Sequence, residues 1–110
     1  MKPASCKAKG RKLQQRVAAD IIAAHNLSPD DVTSRSMGAG GCDILLSKLA
    51  REAFPYTIEV KNQESISIWS AFAQAVAHAE KEKLKPLLVF SRNRSDVLVT
   101  LRWKDFVGLP

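Results

Sequence analysis

The sequence predicts an α/β fold, a central mixed sheet of about five strands flanked by helices in the order α-β-β-β-α-β-β. Three observations predict it. Residues 67–86, "SIWSAFAQAVAHAEKEKLKP", place apolar side chains at helical spacing among alanines 71, 73, 75, 77 and 79. Strand-like runs stand on both sides of that stretch, "YTIEVKN" (56–62) before it and "PLLVFS" (86–91) and "VLVTL" (97–101) after it. The elements do not alternate strictly as strand and helix, which suits a mixed sheet rather than a wholly parallel one.

The 110 residues suit one hydrophobic core, and a 45% hydrophobic content is too high for a disordered chain. No apolar run is long enough to span a bilayer. The start, "MKPASCKAKGRK", is basic and lacks the apolar stretch of a signal peptide. Cys6 and Cys42 show neither ligand spacing nor a scaffold pattern and read as free thiols of a cytoplasmic protein. Residues 1–9 are expected to be a flexible basic arm and 10–110 a single domain.

Residues 11–25 are the first predicted helix, with Leu13, Val17, Ile21 and Ala24 on one face and Asn26 as its stop. On the helical wheel Gln14 falls between Ala18 and Ile21, while Gln15 lies next to Ile22. A buried amide needs partners, so Gln14 either fastens the core or reaches into a site. "LSPDD" (27–31) is a turn, and "VTSRS" (32–36) a short strand. "MGAGGCD" is a glycine turn without a nucleotide-binding fingerprint, and it leads into a second strand, "DILLS" (43–47). "KLAREAFP" (48–55) is a connection of undefined form before the third strand. On the long helix Ile68, Phe72, Ala75, Val76 and Ala79 form the apolar face, and Ser70, Gln74, His78 and Lys81 a polar stripe. Pro86 ends it, with Lys83 and Lys85 beside its negative end. "RNRSD" is a turn, and "RWKDFVGL" closes the chain with a short helical turn.

Side chains alternate along a strand, so Tyr56, Ile58 and Val60 face one way and Thr57, Glu59 and Lys61 the other. The second set is either a solvated outer face or part of a metal-dependent site. If the second and third strands pair as a hairpin, Asp43 comes beside Glu59. Two carboxylates so placed repel unless a cation binds between them, and oxygen ligands select Mg²⁺, with Mn²⁺ as a substitute. The Val60 carbonyl would add an oxygen ligand, and Lys61 would stabilise negative charge on a phosphate. That chemistry suits phosphodiester hydrolysis.

Asp43, fifteen residues, then "EVK" (59–61) resembles the D…(D/E)xK core of the PD-(D/E)xK nuclease superfamily, and the element order resembles its restriction-endonuclease-like fold. Gln74 is similar to the glutamine that follows the ExK strand in archaeal-type Holliday junction resolvases. "GRKLQQRV", "SMGAGGCDILLS", "IEVKNQ" and "PLLVFSRNR" look like small phage-encoded resolvase-like nucleases, a likeness that spans the chain from Gly10. The resemblance implies a metal-dependent endonuclease with Asp43, Glu59, Lys61 and Gln74 as catalytic residues and branched DNA as substrate. Many members carry a first-helix glutamate; here Gln14 stands in its place, or Gln15 if the register slips, and would support a metal-held water without adding charge. Cys42, where the motif name has proline, is expected to pack.

The net charge of +6 favours a polyanionic partner. Lys9, Arg11 and Lys12 near the start, Arg35 and Ser36 before the glycine turn, Asn62 and Gln63 after the ExK strand, and Arg92 and Arg94 in the late turn are the expected DNA contacts. His78 reads as a solvated or core-edge histidine rather than a general base. Trp69 and Trp103 read as core or interface residues. The near two-fold symmetry of a four-way junction suggests a homodimer, its seam formed by Phe106, Val107 and Leu109 or by Trp69 and Phe72.

Overall fold

Alanines 71, 75 and 79 form the inner stripe of a helix that lies flat on a sheet, and this packing organises the molecule. The computed structural model describes residues 3–35 and 43–110, with residues 3–8 as backbone alone. Its elements run α1 (Pro3–His25), β1 (Val32–Ser34), β2 (Ile44–Leu46), α2 (Lys48–Ala53), β3 (Tyr56–Asn62), α3 (Ile68–Glu82), β4 (Lys85–Ser91), β5 (Leu98–Thr100) and α4 (Trp103–Val107).

The strands form two ladders rather than the single sheet expected from sequence. β1 and β2 pair antiparallel; β3, β4 and β5 form a mixed sheet, β3–β4 parallel and β4–β5 antiparallel. β2 and β3 do not make the expected hairpin, because α2 stands between them, capped by the Ser47 hydroxyl, which accepts from the Ala50 N–H. That hydroxyl also donates to Asp31 at 2.8 Å and so ties the cap to the 28–31 turn. Asp31, held by the Ser28 N–H and by Ser47, has a lowered pKa.

α1 packs on the face of β3 and β4 that carries Ile58, Val60, Leu87 and Val89, and its buried residues include Leu13, Val17, Ala18 and Ile21. α3 covers the opposite face, so the three-stranded sheet lies between helices. Small alanines let α3 approach closely, and Ala75 and Leu88 are wholly buried. The backbone of α1 is helical from Pro3, eight residues before the expected start and within the segment expected as an arm. It ends where expected, with Asn26 left-handed at φ 56°. α3 stops before Pro86, its expected end, at a left-handed Lys83, φ 59°, and Pro86 instead lies within β4. The glycine turn, Ser36 and Cys42 lie outside the described residues.

Candidate active site

The 57/59/61 face of β3 is not a solvated outer face. α3 lies over it, leaving Thr57 1% and Glu59 5% exposed. Polar side chains buried in this way need partners, and α3 provides them. Thr57 donates its hydroxyl to Glu82 at 2.7 Å, and Glu59 Oε2 lies 2.9 Å from His78 Nδ1. These are successive rungs between antiparallel elements: two residues along the strand advance about 6.6 Å and four along the helix about 6 Å. By the same periodicity, one further step would set Gln74, exposed on its helix, opposite half-buried Lys61.

Asp43 enters from the other side, where the two ladders meet. Its N–H donates to the Ile58 carbonyl at 3.2 Å, and its Oδ2 accepts from the Val60 N–H at 2.6 Å. The carboxylate takes the place of a carbonyl in a ladder that stops there. Asp43 is thereby fixed to the strand residues on either side of Glu59, by its backbone to Ile58 and by its side chain to Val60. A junction between two ladders does what the expected hairpin would have done. Asp43 O accepts from Arg35 N at 2.9 Å, so the backbone of Arg35 abuts the site.

This crowding is visible in Glu59. Burial pushes its carboxyl up to about 7, the neighbouring Asp43 charge adds to the rise, and His78 opposes it. A site that holds two carboxylates together and resists ionising one of them lacks positive charge, and oxygen donors fit a hard divalent ion. Among the described residues no group of three or more His, Cys, Asp or Glu side chains is arranged to hold a metal ion by itself. Asp43 and Glu59, with the Val60 carbonyl, are a small donor set, of the kind that suits Mg²⁺ completed by water and substrate phosphate.

His78 was not expected here; its place four residues after Gln74 on the polar stripe was the signal. Of the two glutamines on α1, Gln14 is 1% exposed and Gln15 is exposed, so the register sets Gln14 inside. Asn62 turns toward α1, its amide 3.5 Å from the Lys9 carbonyl. Arg11 and Lys12 lie exposed on that helix. Gln63 N donates to Ser91 O at 3.1 Å, which joins the ends of β3 and β4 beside the turn bearing Arg92 and Arg94. Trp69 and Trp103, at 88% and 73% exposure, are not core residues. Ser36 is outside the described residues.

An acid pair followed by a lysine along a helix-covered strand is the arrangement expected of a nuclease site. A family model described as "Phage putative PDDEXK endonuclease" matches residues 5–108, and the chain belongs to that family. No curated protein and no solved structure matches it.

Proposed function

We propose that the protein is a Mg²⁺-dependent endodeoxyribonuclease that hydrolyses phosphodiester bonds in branched DNA, with a Holliday junction as the leading substrate. The observation that carries this reading is geometric: Asp43 Oδ2 is held at 2.6 Å by the Val60 N–H, next in sequence to the buried Glu59. Asp43, Glu59 and the Val60 carbonyl would hold Mg²⁺ or Mn²⁺. When bound, the ion supplies Lewis acidity to the phosphodiester. The Val60 N–H fixes Asp43, and His78 orients Glu59. Lys61 stabilises negative charge that develops on the phosphate. Gln74, set opposite Lys61 by the same periodicity, binds a phosphate oxygen or the attacking water. Gln14 supports the site from α1. Lys9, Arg11, Lys12, Arg35, Ser36, Asn62, Gln63, Arg92 and Arg94 bind the backbone on either side of the cut.

Branched rather than sequence-specific DNA is favoured by the resemblance of "IEVKNQ" and "PLLVFSRNR" to resolvase-like nucleases. A homodimer would set two such centres on opposed strands. α4 favours this arrangement: Trp103 and Phe106, ring centroids 6.1 Å apart, are 73% and 69% exposed, and Leu109 beyond them is 57% exposed. The protein would act in the cytoplasm of a phage-infected host, and among the described residues no helix is long and apolar enough to cross a membrane.

A second reading is a DNA-binding module on the same fold, favoured by Gln14, an uncharged amide where many superfamily members carry an acid. A panel of junction, flap, nicked and linear DNA, incubated with Mg²⁺ or chelator, separates the readings. Mg²⁺-dependent cutting of junctions supports the proposal. Cutting of linear duplex at fixed sequences alone would make the protein a restriction-type nuclease, and binding without any cutting would leave the module.

A further inference from the structure

The parallel strands β3 and β4 end in a cavity of about 570 Å³, of which the nuclease reading uses only Gln63, Arg92 and Arg94, as backbone contacts. Its lining includes apolar Ile66, Ile68, Phe90 and Leu98. The same lining carries both signs of charge, Arg92 and Arg94 with Glu64 and Asp96, and the amide of Gln63. The volume lies in the range of small-ligand sites, and the carboxyl ends of parallel strands are where such sites form.

The placement ties the cavity to the cleavage site. Phe90 is the register partner of Lys61 across the parallel pair, so both side chains rise from the same sheet face. Leu98 is in turn the partner of Phe90 on β5. Gln63 follows Lys61 by two residues on the same chain. The lining is held in shape by the loop: the Asn93 N–H donates to Glu64 at 2.7 Å, and Arg92 Nε donates to Ser95 at 3.1 Å.

A groove that only follows phosphates would not carry two carboxylates. An aromatic ring and aliphatic side chains suit the face of a nucleobase, while guanidinium donors together with carboxylate and amide acceptors suit its hydrogen-bonding edge. We propose that this cavity takes one unpaired nucleobase next to the scissile phosphate. The inference rests on the nuclease reading for the position of the cut, but the pocket itself is a binding site that can be measured without cleavage. It gives a physical basis for preferring branched over paired DNA, because only at a branch, bulge or flap is a base free to leave the stack without the cost of unpairing.

The test measures binding in chelator, by fluorescence anisotropy, of three oligonucleotides: a perfect duplex, the same duplex with one bulged nucleotide, and one whose bulge is abasic. The wild-type protein should bind the bulged duplex about 5- to 10-fold tighter than the other two, by analogy with base-stacking contacts. Leu98→Glu, a change at a 52% exposed position, should reduce that preference to near parity. Equal affinity of wild-type protein for the base-bearing and abasic bulges would overturn the proposal, whatever the variant does. Mg²⁺-dependent cleavage is read in parallel. Cleavage with no bulge preference removes the pocket and leaves the nuclease; bulge preference without cleavage of any DNA keeps the pocket and removes the nuclease.

Discussion

Glu59 is the residue on which chemistry and stability conflict. Its folded pKa is raised to about 7 from an ordinary 4.5, so the folded state holds a proton that the unfolded state has already lost. Stability from this group is therefore full below pH 4.5, falls as pH rises toward 7, and stays low above it. Glu59→Gln should raise metal-free stability at pH 8 by on the order of 1–3 kcal/mol and change it little at pH 4, as measured by denaturant melts. The same substitution should abolish cleavage. Lys61→Ala should cut the cleavage rate by about 10²-fold or more while leaving the melt near wild type, since a positioned charge acts on the transition state. His78→Ala should lower cleavage by weakening the hold on Glu59, and His78→Gln, which keeps a donor, should restore part of it. A pH–rate profile that shifts toward alkaline pH in neither variant and a rate equal to wild type in both would show that His78 does not position Glu59.

At the scale of elements, two packing devices fix the site: the alanine stripe under α3 and the cap of α2. Ala75→Leu, at a position with no exposure, should destabilise the fold by about 1–3 kcal/mol through overpacking between α3 and the sheet. Ser47→Ala should cost about 1 kcal/mol by removing the α2 cap and its bond to Asp31. Urea melts read both. The sequence showed β3 residue for residue, because "YTIEVKN" alternates and ends at a polar turn. It showed the end of α1, since Asn26 is a residue that tolerates a left-handed backbone. It did not show that five strands split into two ladders. That split depends on Asp43 spending its side chain, rather than its carbonyl, on Val60 N, a tertiary choice with no local signature. Nor did it show α2, six residues without a long apolar period. The position of His78 in the site required knowing that α3 lies over Glu59, because the same stripe on an exposed helix would face solvent.

For the molecule as a whole, the basic balance and the exposed aromatic surface decide how DNA is met. A net charge of +6 with exposed arginines on α1 and in the β4–β5 turn should make DNA affinity fall steeply with salt, and Arg92→Ala with Arg94→Ala should reduce the slope of log affinity against log salt by about 2. If α4 forms the seam of a homodimer, Trp103→Ser with Phe106→Ser should yield a folded monomer by light scattering and lose paired cuts across a junction while retaining nicks. The most direct measurement, however, concerns the ion. Mn²⁺ binding, titrated by electron paramagnetic resonance at pH 8, should be saturable in the wild type and drop at least tenfold in both Asp43→Asn and Glu59→Gln. Affinity that is unchanged in either variant would contradict the claim that these carboxylates share one cation.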